Sequence, residues 1–193
     1  LESLPLEERI ARVRTGEDDP SLPALYFNYG RYLLMASSRN SDQPANLQGL
    51  WNAELAPPWD ADFHQDVNLE MNYWLAETCN LPECAAPLFE FVWRAVPYAK
   101  DAANKLYGCK GVCFPITDDV WARCTPEAPG WDVWTGAAAW LAQHFWQRWE
   151  FSGEEEFLRE QAYPFYKLVA EFYLDYLVRS EEHTSELQSP NTI

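Results

Sequence analysis

Apolar positions recur at helical spacing along most of the chain. Leu6, Ile10 and Val13 lie on one stripe and predict a short amphipathic helix over Leu4–Val13. The stretch TGEDDPS ends it. A second helix is predicted over Ser21–Ser38, with Pro23 in its first turn and a dense apolar run from Tyr29 to Ala36. Residues 39–62 are rich in Asn, Pro and Asp, end in PPWDAD, and read as a long ordered loop. Loops of that length inside compact domains are usually functional.

The rest of the chain repeats itself. One unit starts at Asn72 (NYWLAETCNLPECAAPLFEFVWRAV) and the other at Ala138 (AAWLAQHFWQRWEFSGEEEFLREQAYPFYKLVAEFYLDYLV). Each has a Trp-Leu-Ala helix, a short turn, and a second helix with an internal Pro and an aromatic-aliphatic end. Asn80 with Glu83, and Ser152 with Glu155, have the spacing of capping boxes and predict where the second helices begin. No alternating run of ordinary strand length is present. Helical hairpins that cannot bury both faces alone must stack into a solenoid or close into a ring. The first helix of each hairpin is aromatic on several sides, as an inner helix is. The predicted fold class is therefore all-α: part of an α/α toroid of stacked hairpins, which the resemblance described below makes an (α/α)6 toroid. Residues 1–20 form a lead-in helix and linker, and residues 21–178 the early part of the toroid.

Composition narrows the function. The chain has 193 residues, is 48% hydrophobic and 16% aromatic, and carries ten Trp, so it can bury a core. Its formal net charge of -16 leaves no basic stripe to neutralise phosphates, which argues against nucleic acid as a partner. Acidic and Trp-rich surfaces suit carbohydrate, because flat rings stack on sugar faces and carboxylates move protons. Each Trp equally has the plainer role of filling a helix–helix interface. No run approaches the about 20 apolar residues of a membrane span. Five Cys at irregular spacing (79, 84, 109, 113 and 124) make a poor disulfide framework and match no common zinc pattern. Buried free thiols are expected, with no metal and no cofactor.

The C-terminal stretch is of a different kind. Arg179 to Ser189, RSEEHTSELQS, is the in-frame translation of a common sequencing-library adapter, and Pro190 to Ile193 fit the index that follows it. Residues 179–193 are expected to be a non-native, disordered tail and are set aside from the fold.

Asn46 to Glu77 holds the densest chemistry: NLQGLWNAELAPPWDADFHQDVNLEMNYWLAE. A Gly-Leu-Trp turn and a Pro-Pro-Trp-Asp turn precede His64, Asp66 and Asn68. Alternate residues of an extended segment share a side. An imidazole, a carboxylate and an amide would then face one way and hold sugar hydroxyls and a water. The plainer alternative is that Asp66 or Asn68 caps a helix at Leu69 and His64 lies on the surface. Asp119 is either a hydroxyl ligand or a turn-capping Asp. Trp131 and Trp134, in GWDVWTG, either stack on sugar or plug the mouth of the ring.

These stretches resemble glycoside hydrolase family 95. Its members carry P-A-N-L-Q-G-[IL]-W-N, then P-P-W-D-[SA]-D, then H-x-N-x-N-x-[QE]-M-N-Y-W. The resemblance runs from about Tyr29 to Val178 and implies a six-hairpin α/α barrel, of which this chain holds the early helices. It implies an inverting exo-α-L-fucosidase acting on oligosaccharides or glycans. It also implies that the two Asn of H-x-N-x-N orient the attacking water, positions held here by Asp66 and Asn68, and that His64 lines the pocket near the sugar's C5 substituent.

Asp66 departs from the family's Asn, placing a carboxylate beside that water. At Gly111 to Trp121, GVCFPITDDVW stands where many members have G-W-x-x-H-H-N-T-D-x-W. Pro115 to Asp118 replace the His-His-Asn-Thr run, while Asp119 and Trp121 align and are expected to wall the sugar pocket. The family's acid is a Glu in a Ser-Pro-Glu-Asn stretch and its base a later Asp, and neither stretch occurs here. Residues 1–178 alone are therefore expected to be inactive, with Glu70, Glu77 and Glu127 no substitutes. An α-L-galactosidase and a non-catalytic sugar-binding relative are the alternatives. By the same resemblance, members are commonly secreted or periplasmic.

Overall fold

The computed structural model describes residues 3–126, 133–179 and 187–188. Helix α1 spans Leu6–Arg14 and α2 Ser21–Ser38, as the apolar spacing predicts. The turn between them is closed by a buried ion pair, Arg9 Nε donating to Asp19 Oδ2 at 2.8 Å, with Ser21 on the same carboxylate. The pair holds the Asp19 carboxyl at about 2, below its ordinary value, through the hydrogen bond from Arg9.

The long loop contains a short 3₁₀ turn, Pro58–Ala61, and leads into a two-residue strand β1, Phe63–His64. Helix α3 (Asn68–Tyr73) continues through the helical backbone of Trp74 into α4 (Leu75–Thr78). After a 3₁₀ turn at Pro82–Ala85 comes α5, Ala86–Tyr107. Strand β2 (Thr117–Asp118) and helix α6 (Ala137–Ser152) follow. A short α7 (Glu155–Phe157) and a π-helical turn (Leu158–Ala162) then lead to α8, Tyr163–Tyr176.

The two repeat units form two hairpins, α3–α4 with α5 and α6 with α7–α8, and the first helices of the two pack on each other. Their core is aromatic: Phe89, Phe145, Phe157 and Phe165 lie with ring centroids 4.7–6.0 Å apart. All-helical hairpins stacked this way are a segment of an α/α toroid. Among the described residues no helix is long and apolar enough to cross a membrane.

Three details differ from the sequence reading. The Pro within each repeat unit's second helix starts a new helical segment: Pro87 falls in the first turn of α5, after the 3₁₀ turn, and Pro164 in the first turn of α8, after the π turn, while Pro97 lies inside α5. A Pro lacks the N–H that an interior turn needs, so it is best placed at a fresh N-terminus. Neither predicted capping box forms. Asn80 takes a left-handed backbone (φ 56) that ends α4, and Glu83 pairs with Arg39. Ser152 accepts the Glu154 amide, two residues on, and not that of Glu155. Finally, two small antiparallel pairings are present, β1 with β2 and β3 (Val178–Arg179) with β4 (Leu187–Gln188). The second involves residues of the expected tail; its remaining residues, 180–186 and 189–193, lie outside the described residues.

One glycine controls how β2 reaches the site. Gly111 has φ 73, and a Cβ there would press on the Leu168 carbonyl oxygen and come within 2.5 Å of the Phe172 amide nitrogen on α8. The segment is tied by Lys110 N to Asp175 Oδ2 and by Cys113 N to the Ala99 carbonyl. It passes between α5 and α8 on its way to β2. Four of the five cysteines (84, 109, 113 and 124) are buried and Cys79 is half-buried; all are free thiols.

Candidate active site

The PPWD loop approaches its end in a strained form. Trp59, Asp60 and Ala61 all have left-handed backbones, with φ between 51 and 54. Each such non-glycine residue costs on the order of 1–3 kcal/mol and persists where the surroundings enforce it, typically at functional sites. Here the turn is held by Asp60 N to the Pro57 carbonyl, Asp62 N to the Trp59 carbonyl, and Leu47 N to the Asp62 carbonyl. It sets the Trp59 ring edge-on to His64, with centroids 5.7 Å apart.

His64 is oriented from two sides. Its Nε2 lies 2.7 Å from Asp62 Oδ1, with both side chains 13% exposed. Its backbone pairs with Thr117, and Phe63 pairs with Asp118. The imidazole therefore lies against a carboxylate and an aromatic edge, with the ring only partly exposed. Asp62 was missed as a site residue. A signal for it existed, since it precedes His64 by two positions and shares its side of an extended segment.

The extended row itself is shorter than predicted. It ends at His64; residues 65–67 form a turn, Val67 has φ 138, and α3 starts at Asn68. Asp66 and Asn68 are both exposed on this turn. The helix-capping alternative does not apply, because Val67 is the N-cap and no side chain caps α3. Neither side chain makes a hydrogen bond to any described residue.

Behind the row lie two buried carboxyls. Asp118 is fully buried, accepting from Gln65 Nε2 at 2.9 Å and from the Asp119 amide at 2.8 Å. Burial pushes it up to about 8, and the neighbouring Asp119 charge adds to this. Glu70, on α3, is also fully buried, and neither carboxyl oxygen has a hydrogen-bond partner of normal geometry among the described residues. Burial again is the main reason it rises to about 8; the backbone amides of Glu70 and Val67 offset part of this, and the charge of Asp66 adds to the rise.

These shifts give stability a direction with pH. A carboxyl with a raised folded value binds its proton more tightly in the folded than the unfolded chain, so stability falls as pH rises toward about 8. His144, buried in α6 and held down at about 4 by burial, acts in the opposite sense between about 4 and 6.5. Asp19 acts only below about 4. Thermal melts should therefore show Tm falling between pH 6.5 and 8.5, and the pair Glu70→Gln, Asp118→Asn should flatten that slope. An unchanged slope in the double variant would contradict the assignment.

The other predicted residues are placed less centrally. Asp119 Oδ1 accepts from the Trp121 amide at 2.8 Å, and its Oδ2 lies 3.5 Å from Arg123 Nε, so its contacts are those of a turn-capping Asp. Trp121 is 81% exposed beside it. Trp134 packs edge-on against Trp140 and over Gly136, joining the core. Trp131 lies outside the described residues. Among the described residues no three His, Cys, Asp or Glu are grouped to hold a metal.

A segment of an α/α toroid thus carries a strained aromatic loop, an imidazole beside a carboxylate, and an exposed carboxylate and amide at a helix start. The chain belongs to glycosyl hydrolase family 95, whose catalytic domain it matches over residues 1–192. It is 38% identical over 177 residues to Alpha-L-fucosidase 2 of Arabidopsis thaliana, covering 91% of this chain and 21% of that protein. It is 33% identical over 166 residues to Probable alpha-fucosidase A of Aspergillus niger, covering 84% of this chain and 21% of that protein. The chain thus spans about a fifth of the length of these relatives.

Proposed function

We propose that the longer polypeptide to which this chain belongs is an inverting exo-α-L-fucosidase that removes terminal L-fucose from oligosaccharides or glycans. The observation that carries this reading is the Asp62–His64–Trp59 arrangement directly before the exposed Asp66 and Asn68, in a family whose relatives above are named fucosidases. His64 contacts the sugar near its C5 substituent. Asp66 and Asn68 hold the attacking water, and Asp119 and Trp121 belong to the pocket wall. Inversion places a general acid and a general base roughly 6.5–9.5 Å apart on opposite faces of the sugar. Both come from outside residues 1–178, so this chain alone is inactive. Residues 179–193 are an adapter translation, and the native reading frame continues past Val178 into a Ser-Pro-Glu-Asn stretch.

The α-L-galactosidase reading is favoured by one observation: Pro115 to Asp118 replace the family's His-His-Asn-Thr run beside the pocket. Comparing aryl α-L-fucoside and α-L-galactoside on the longer polypeptide separates the two. Higher kcat/KM on the fucoside is expected. Preference for the galactoside would replace the assignment, release of neither would favour a non-catalytic sugar binder, and activity from residues 1–178 alone would overturn the division of the site.

A further inference from the structure

Gln65 is a polar side chain with no exposed surface, in the middle of the candidate row. It is the first residue of the turn that follows β1, and burial differs sharply across it: His64 half-buried, Gln65 buried, Asp66 exposed. The inward-facing residue is bound at two points to one partner segment. Its backbone N–H donates to the Ile116 carbonyl at 2.6 Å, and its Nε2 donates to Asp118 Oδ2 at 2.9 Å. Asp118 is itself fully buried and anchored by the Asp119 amide. The same partner segment pairs with β1 through Phe63↔Asp118 and His64↔Thr117.

Gln65 Oε1 has no hydrogen-bond partner among the described residues, so the bond from Nε2 to Asp118 is the side chain's one compensation for burial, and losing it is costly. Rotating β1 about its axis would break the side-chain bond and leave two polar groups unpaired in the core. That penalty keeps Gln65 pointing inward and so fixes the turn that joins His64, at the end of β1, to the exposed Asp66. In the family pattern quoted above a Thr stands where this chain has Asp118, and its shorter side chain has no carboxylate to receive the Gln65 amide.

We propose that Gln65 and Asp118 form a buried clamp that sets the direction of His64 and Asp66, making both of them positioning residues of the hydrolase site. The proposal rests on the reading of the site given above, and its tests are chosen to separate the two. Asp118→Leu and Gln65→Leu break the clamp. Asp118→Asn preserves it, because a flipped Gln65 amide can accept from the new Nδ2 while the Oδ1 still accepts the Asp119 amide.

The first readout needs no substrate: the imidazole NMR signals of this chain, with that of His64 assigned by its loss in His64→Gln. The clamp predicts that each Leu variant moves the His64 signal and leaves that of His144 in place, and that Asp118→Asn restores it. The second readout is kinetic, on the longer polypeptide. Asp118→Leu should lower kcat about 100-fold, the scale of a misplaced reacting group. KM should stay within about threefold, as for loss of a transition-state interaction, and Asp118→Asn should recover most of kcat. A His64 signal unmoved in both Leu variants, or equal kcat in Asp118→Leu and Asp118→Asn, overturns the clamp. Should Asp118→Leu fail to fold, Gln65→Leu and Asp118→Asn carry the same comparison. A longer polypeptide that cleaves neither fucoside nor galactoside refutes the proposed function, and the NMR result still decides the clamp.

Discussion

Asn68→Ala in the longer polypeptide is expected to lower kcat by about 100-fold with KM little changed, the scale of losing one preorganised polar contact to the reacting groups. The argument starts from what Asn68 does not do. It is exposed at the first position of α3, Val67 rather than Asn68 is the N-cap, and its amide bonds to no described residue. Removing it therefore costs little stability, and a loss of rate must come from the site. Asp66→Asn, on the same turn, separates two roles. If the carboxylate contributes charge to water activation, the isosteric amide lowers kcat. Unchanged turnover would mean that Asp66 acts only as a hydrogen-bonding group. Initial rates on an aryl α-L-fucoside, with melts of each variant alongside, check both.

Gly111→Ala should damage fold and site together. The added methyl would press into the backbone of α8 at Leu168 and Phe172, where neither partner is a side chain that can move aside. Overpacking of this kind costs roughly 1–3 kcal/mol, and a left-handed backbone at a non-glycine residue adds roughly 1–2 kcal/mol. For a domain of this size the sum corresponds to a fall in Tm of roughly 10 °C. Because residues 111–116 lead directly to β2, the substitution should also loosen the β1–β2 pairing that aligns His64. A melt within a degree of wild type would show that α8 does not hold this segment as described.

Local pattern carried most of the helices. The 3.6-residue spacing placed α1 and α2, and the repeated Trp-Leu-Ala marked both hairpins, because periodicity and amphipathicity act over neighbouring residues. The capping boxes failed for a reason of context: a left-handed Asn80 closes α4 better than it opens a new helix, and Glu83 finds Arg39 instead. Strands β1 and β2 are two residues each and owe their existence to a partner far away in sequence, so no local alternation announced them. His64, Asp66 and Asn68 stand out in the sequence by residue type, but the extended spacing expected to align them stops at His64. Gln65 and Asp118 do not stand out, since a Gln in a polar run gives no sign of burial until the strand it pairs with is known. The left-handed run at Trp59–Ala61 was hidden as well, because none of the three is a glycine.

The central claim, an inverting fucosidase whose water is held beside His64, is tested most directly by the anomer released first. The longer polypeptide, incubated with a reducing oligosaccharide bearing a terminal α-L-fucose, should be followed by proton NMR from the earliest time points. β-L-Fucose appearing first, with the α anomer growing in only by mutarotation, is the predicted result. α-L-Fucose appearing first, or no fucose at all, would contradict the account.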